Sequence, residues 1–256
     1  MAQQDEWEYR RASSERPLPI LRNYVVYTFR RVYFQGRVAE VTDEGGQKFA
    51  TFNTGLVTPH FEAIYGYFVE QTSANFPQPW FLQAFVRDSD HRLLKFDKLP
   101  ERATYFDDPS DLLYDARREL RINYEHVVND NVDRFPEALR NDQARRTEAV
   151  RQAVNHAKFR VEQNYKAAIP QFYWPTRDDS DPGKLQLLLP LCLEDISRAD
   201  LALSVERAGA VYRAATVLTL DMAYNNARLI ARPDKEWLEP LQPTTPDADA
   251  TVAETD

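Results

Sequence analysis

Nine side chains in this sequence have the types and spacing to act on a phosphate-bearing ligand. Asn123, His126 and Asp130 stand at i, i+3 and i+7, so a helix would put them on one face, with the His126 imidazole placed for general acid-base work. Lys166, in Asn164-Tyr165-Lys166 ahead of Pro170, can hold phosphate with its ammonium or serve as an amine nucleophile if desolvated. Asn53 and Thr54 precede Gly55 at the end of an expected strand, where amide, hydroxyl and backbone N–H groups can converge on an anion. Near the far end, Tyr224, Asn225 and Arg228 offer a ring, an amide and a guanidinium within one helical turn, a set that suits a phosphorylated base.

Each group also has an ordinary structural use. Asn-Thr-Gly is turn chemistry, His126 can be a hydrogen-bonded boundary residue, and Lys166 can complement the negative end of a helix. Arg228 can tie the last helix to the sheet through Glu206. Gln186, a lone amide in an apolar strand, must reach a solvated face or find hydrogen bonds.

The elements that would position these groups follow from periodicity. Ile20, Leu21, Tyr24, Val25, Thr28, Phe29 and Val32 recur at helical spacing after Pro17 and Pro19. Residues 38–42 and 48–52 flank Asp43-Glu44-Gly45-Gly46 as a hairpin, and β-rich runs follow at 63–69, 80–86 and 102–106. Asp108-Pro109 predicts a helix start with Leu113, Ala116, Leu120, Tyr124, Val127 and Asn131 as its stripe, ended by Pro136. A second long helix is expected over 142–167, then strands at 171–174, 185–189, 201–206 and 211–220, and a helical turn that Asp221 would cap. The order is not a regular βα alternation. The expected fold is therefore α+β, with a mixed, largely antiparallel sheet and two or three long helices packed on one face.

Composition narrows the class. The net charge of −8 is concentrated in residues 235–256, where six acids face Lys235 alone, so the body is close to neutral and no histone-like basic blanket exists. We expect a flexible N-terminus over 1–17, although Trp7 and Tyr9 can dock, then one domain over 18–238 and a disordered acidic tail over 239–256. A single cysteine, Cys192, and the lack of a basic-then-apolar leader or a long apolar run point to a cytoplasmic, non-membrane protein. The sequence has no phosphate-binding glycine loop, nucleophile elbow or zinc helix motif, and its four histidines are far apart, so no cofactor and no metal are expected.

Several phrases form a group: FNTGL at 52–56, RRELRINYEHVVNDN before RFP at 134–136, NYK at 164–166, PQFYW at 170–174, LQLLLPLCL at 185–193 and LTLDMAYNNARLI at 218–230. Together they resemble the bacterial family catalogued as domain of unknown function 3825, over residues 18–237. That resemblance implies no stated activity; the joining of some relatives to small RNA-binding modules implies an RNA or nucleotide context. The leading expectation is a nucleotide- or RNA-associated domain that handles phosphate, with Asn53, His126, Lys166, Asn225 and Arg228 around one cleft and nucleotide or single-stranded RNA as partner. On that expectation Arg228→Ala weakens affinity and leaves the fold intact. The rival is a non-catalytic protein-interaction or structural module whose tail recruits a protein, and the residues alone leave open whether the chain is an enzyme.

Overall fold

The computed structural model describes residues 2, 3, 5–9, 17–71, 78–175 and 182–233. Helix α1 (Pro19–Phe34) starts at a proline, whose missing N–H costs nothing there, and buries Ile20, Tyr24, Thr28 and Val32 as one stripe. Strands β1 (Ala39–Thr42), β2 (Lys48–Val57), β3 (Ala63–Glu70) and β4 (Trp80–Arg87) then form an antiparallel four-stranded sheet in chain order. Gly66 lies opposite the buried Phe52 in this sheet; a Cβ there would stand 2.1 Å from a Phe52 ring carbon, so only glycine leaves room for the ring.

The second sheet has five strands: β5 (Glu119–Ile122), β6 (Ile169–Tyr173), β7 (Lys184–Leu191), β8 (Leu201–Ala208) and β9 (Val211–Thr219), in the order β5-β9-β8-β7-β6. All its pairs are antiparallel except β5 with β9. Helices α2 (Tyr124–Asn129), α3 (Glu137–Arg140) and α4 (Gln143–Gln163) lie between β5 and β6, and α5 (Leu220–Ala227) follows β9. The chain is thus α+β with largely antiparallel, mixed sheets, and its strands divide between two sheets.

Alternation decides what each face of the five-stranded sheet carries. Leu187, Leu189 and Leu191, with Leu203, Val205, Tyr212 and Val217, pack against Val150, Val154, Ala157 and Val161 of α4. The opposite face turns Leu188, Ala202 and Leu218 towards Trp7, Ile20 and Tyr24 and towards Ala223, Tyr224 and Ala227 of α5. A third cluster, built on Tyr65, Tyr67, Val86, Leu93 and Phe96, covers one side of the four-stranded sheet.

Three elements differ from the sequence expectation. The helix expected from Asp108 is a short 3-10 turn (Pro109–Leu112), then strand β5, then the six-residue α2. Glu119-Leu120-Arg121-Ile122 alternates with period two, and pairing with β9 outweighs the helical spacing of Leu113, Ala116 and Leu120. Residues 102–106 form no ladder; their carbonyls are held by side chains, with Arg31 Nε and Gln35 Nε2 donating to the Thr104 oxygen at 2.8 and 2.6 Å. The long helix ends at Gln163 because Asn164 takes extended backbone and caps a 3-10 turn, its Oδ1 accepting from Lys166 N–H at 3.1 Å. At the other end of the chain, residues 5–9 dock on the body: Trp7 is 7% exposed, and its carbonyl accepts from Ile20 N–H at 3.0 Å. The expected tail over 239–256 lies outside the described residues.

Candidate functional site

The nine side chains singled out by sequence do not meet in one cleft. Asn53 makes the turn that its neighbours suggest: its Oδ1 accepts from Gly55 N–H at 2.9 Å, and Gly55 takes a positive φ of 73°. Thr54 is fully buried, with its hydroxyl donating to the Ile64 carbonyl at 2.6 Å. Asn123 caps α2 through an acceptor bond from His126 N–H at 3.3 Å. Lys166 lies on the 3-10 turn after α4 and lines a small cavity of 280 Å3 with Leu113, Tyr165 and Arg232.

The Tyr224, Asn225 and Arg228 group is brought together, but inward. Arg228 forms an ion pair with Asp5 at 2.6 Å, both side chains largely buried (13% and 8% exposed). Its guanidinium lies 4.6 Å from the Trp7 ring centroid and 5.0 Å from that of Tyr24. The expected partner Glu206 sits elsewhere, beside Lys184 at 3.4 Å. Asn225 Oδ1 accepts from Asn23 at 3.3 Å, and Tyr224 is buried. Thr219, rather than Asp221, caps α5 by accepting from Met222 N–H. These residues clamp the N-terminal segment, α1 and α5 together, so Arg228→Ala removes half of a buried pair; the expectation of an intact fold is corrected on that ground.

His126 is exposed at one end of α2, and its Nδ1 is hydrogen-bonded to Asp130 one turn on. That bond and the Asp130 charge raise the imidazole pKa above 6.5. With the folded value above the unfolded one, this pair stabilises α2 at pH below about 6.5 and loses its contribution as pH climbs through the raised value. An NMR titration of the His126 ring should give a midpoint above 6.5 that Asp130→Asn moves back down; an unmoved midpoint would show that the pair does not form.

The polar residues that converge are on the second face of the five-stranded sheet. There α5 covers only the apolar half, and the rest opens as a cleft of 790 Å3 lined by Arg121, Asn123, Gln186, Ser204, Glu206, Arg213 and Thr216, among others. Strand register sets the arrangement. Gln171 is opposite Gln186, Glu206 opposite Arg213, and Arg213 opposite Arg121. The Leu187–Val205 pairing places Gln186 beside Glu206, and Gln186 Nε2 donates to Glu206 Oε2 at 3.4 Å. One row of polar side chains therefore crosses all five strands, from the fully buried Gln171 to the exposed Arg121.

The Glu206 carboxylate fixes the polarity of this row. A carboxylate oxygen accepts, so it draws the Gln186 NH2 and turns the Gln186 oxygen inward. That oxygen accepts from Gln171 Nε2 at 3.0 Å and from the Ser204 hydroxyl at 2.9 Å, while Gln171 Nε2 also donates to Ser204 Oγ at 2.8 Å. The Gln171 oxygen is left to accept from Asn226 Nδ2 of α5 at 3.1 Å. Every buried polar atom of Gln171 and Ser204 is thus engaged, as a low-dielectric interior demands.

Sequence reasoning marked Gln186 as an amide in need of partners and named Glu206 only as a partner for Arg228. It passed over Gln171, Ser204, Asn226, Arg121 and Arg213. The available signal was parity: Gln186, Ser204 and Glu206 all fall on the strand face opposite the leucines.

Among the described residues no three His, Cys, Asp or Glu side chains group as a metal site, and no helix is long and apolar enough to cross a membrane. A family model described as Domain of unknown function (DUF3825) matches residues 1–237. No curated protein and no solved structure matches the chain.

Proposed function

Because the chain belongs to the DUF3825 family, whose description states no activity, we propose from the geometry that the open half of the sheet face binds a phosphate-bearing nucleotide, free or at the end of single-stranded RNA. The observation that carries this reading is the end of the polar row. Arg121 and Arg213 are directly opposite on neighbouring strands. Like charges so placed repel, and a bound anion relieves the repulsion while accepting from both guanidiniums. Arg121 also touches Glu119 at 2.9 Å, but that pair is exposed and weak. Arg213 has no ion pair among the described residues.

The cleft volume suits a nucleotide-sized ligand, and the engaged amides and hydroxyls hold its polar groups in fixed orientation. Ser204 donates to an amide oxygen rather than to a base, so it is not activated as a nucleophile, and the site as built binds rather than reacts. The single Cys192, whose thiol burial pushes up in pKa and so keeps protonated, fits a reducing cytoplasm.

A second reading, a protein-interaction module, is favoured by one feature. A 550 Å3 groove between α1 and the four-stranded sheet is apolar, with Leu21, Val25, Leu56, Ile64, Leu82 and Phe85 on its walls. Titration calorimetry of the full chain with nucleoside monophosphates at low salt separates the two. Saturable binding that weakens as salt is added supports the nucleotide reading. No heat at millimolar nucleotide overturns it and leaves the interaction module.

A further inference from the structure

We infer that the sheet-face cleft selects guanine over adenine, with Gln186 and Glu206 reading the base and Arg213 and Arg121 holding phosphate. This inference rests on the nucleotide reading of the cleft and names the base.

The donors and acceptors along the row decide the base. Gln186 uses its oxygen twice, towards Gln171 and Ser204, and one N–H towards Glu206. Its second N–H has no hydrogen bond among the described residues and is left to donate in the cleft that the residue lines. Glu206 Oε2 is shared between Gln186 and Lys184, each at 3.4 Å, which leaves Oε1 and a remaining lone pair of Oε2 to accept from a ligand. Along the row the protein therefore presents a donor followed by a pair of acceptors.

The Watson–Crick edge of guanine is the complement: the O6 acceptor beside the N1–H and N2–H donors. Gln186 N–H can donate to O6 while the Glu206 carboxylate accepts from N1–H and N2–H together, a charge-assisted pair of parallel bonds. Adenine opposes this pattern at both positions, since its N6 amino group would face the Gln186 N–H and its N1 lone pair would face a carboxylate. Sites that hydrogen-bond a ligand group reject analogues lacking it, because buried polar groups are then left unpaired.

The amide cannot rotate to rescue adenine. Flipping Gln186 would turn its oxygen onto Glu206 and its NH2 onto Gln171 Nε2, and Gln171 is locked in turn by Asn226. Gln171, Ser204 and Asn226 are thus positioning residues, and the burial of Gln171 and Ser204 makes the readout rigid. Among the described residues that line this cleft none is aromatic, so discrimination there comes from hydrogen bonds and not from stacking.

The test compares GMP, IMP and AMP on the intact chain by calorimetric titration. The expected order is GMP, then IMP, which lacks the N2 amino group, then AMP, with GMP at least tenfold tighter than AMP. In Glu206→Gln, GMP loses its preference over AMP while inorganic phosphate binds more tightly than in the parent, because the negative charge opposite Arg213 is gone; a folding defect would weaken both. Equal affinity of the parent for GMP and AMP overturns the base assignment and leaves the phosphate site standing. Failure of all three to bind overturns the nucleotide reading and the base assignment together. The ligand series on the parent decides the matter even should Glu206→Gln fold poorly.

Discussion

Asp5→Ala is expected to lower the unfolding free energy by about 3 kcal/mol, because removing one partner of a buried ion pair strands the other charge away from water. The stranded group is Arg228, which is 13% exposed and lies against Trp7 and Tyr24. Arg232 also reaches Asp5, at 3.5 Å, but is half exposed and adds little. The double variant Asp5→Ala/Arg228→Met should regain much of the loss, since an apolar side chain of similar length fills the same slot without a charge to satisfy. Urea denaturation of the parent and both variants measures it. A loss under about 0.5 kcal/mol in the single variant, the size typical of surface substitutions, would show that residues 5–9 do not clamp the body.

Arg121→Gln/Arg213→Gln should weaken nucleotide binding by about thirtyfold, taking about 1 kcal/mol for each charge-assisted hydrogen bond lost at an exposed site. Stability should hold or rise slightly, because two guanidiniums opposite one another on β5 and β9 no longer repel. The parent's affinity should fall steeply with salt and the variant's hardly at all. Binding that survives the double substitution unchanged would remove these two residues from the site.

Much of the architecture could be read from periodicity. Helix α1, the β1–β2 hairpin, α4 and the β8–β9 hairpin stand where apolar spacing and paired turn residues put them, because each is fixed by contacts between near neighbours in sequence. The misreading at 111–131 has the opposite origin: β5 is a strand only because β9, some ninety residues later, supplies its partner. No window around Leu120 contains that fact.

The site was less legible for a related reason. Helical spacing puts Tyr224, Asn225 and Arg228 on α5 and its C-terminal cap, but the carboxylate that turns Arg228 inward comes from Asp5 at the other end of the chain. The cleft that does open is assembled by register, with Gln171, Gln186, Glu206, Arg213 and Arg121 each contributing one side chain to a row. Each is unremarkable alone. A Gln or Ser in an apolar strand becomes informative once its cross-strand neighbours are known, which is why Gln186 was noticed and its partners were not.

The central claim is that the polar row on the five-stranded sheet is a ligand site. Two-dimensional NMR of the 15N-labelled chain titrated with GMP tests it most directly. The account predicts progressive shifts at the backbone amides of Arg121, Ser204, Glu206 and Arg213 and at the side-chain NH2 of Gln186, with Lys166 and the Leu82–Phe85 groove unmoved. Shifts confined to Lys166 or to that groove, or none at millimolar GMP, would contradict it.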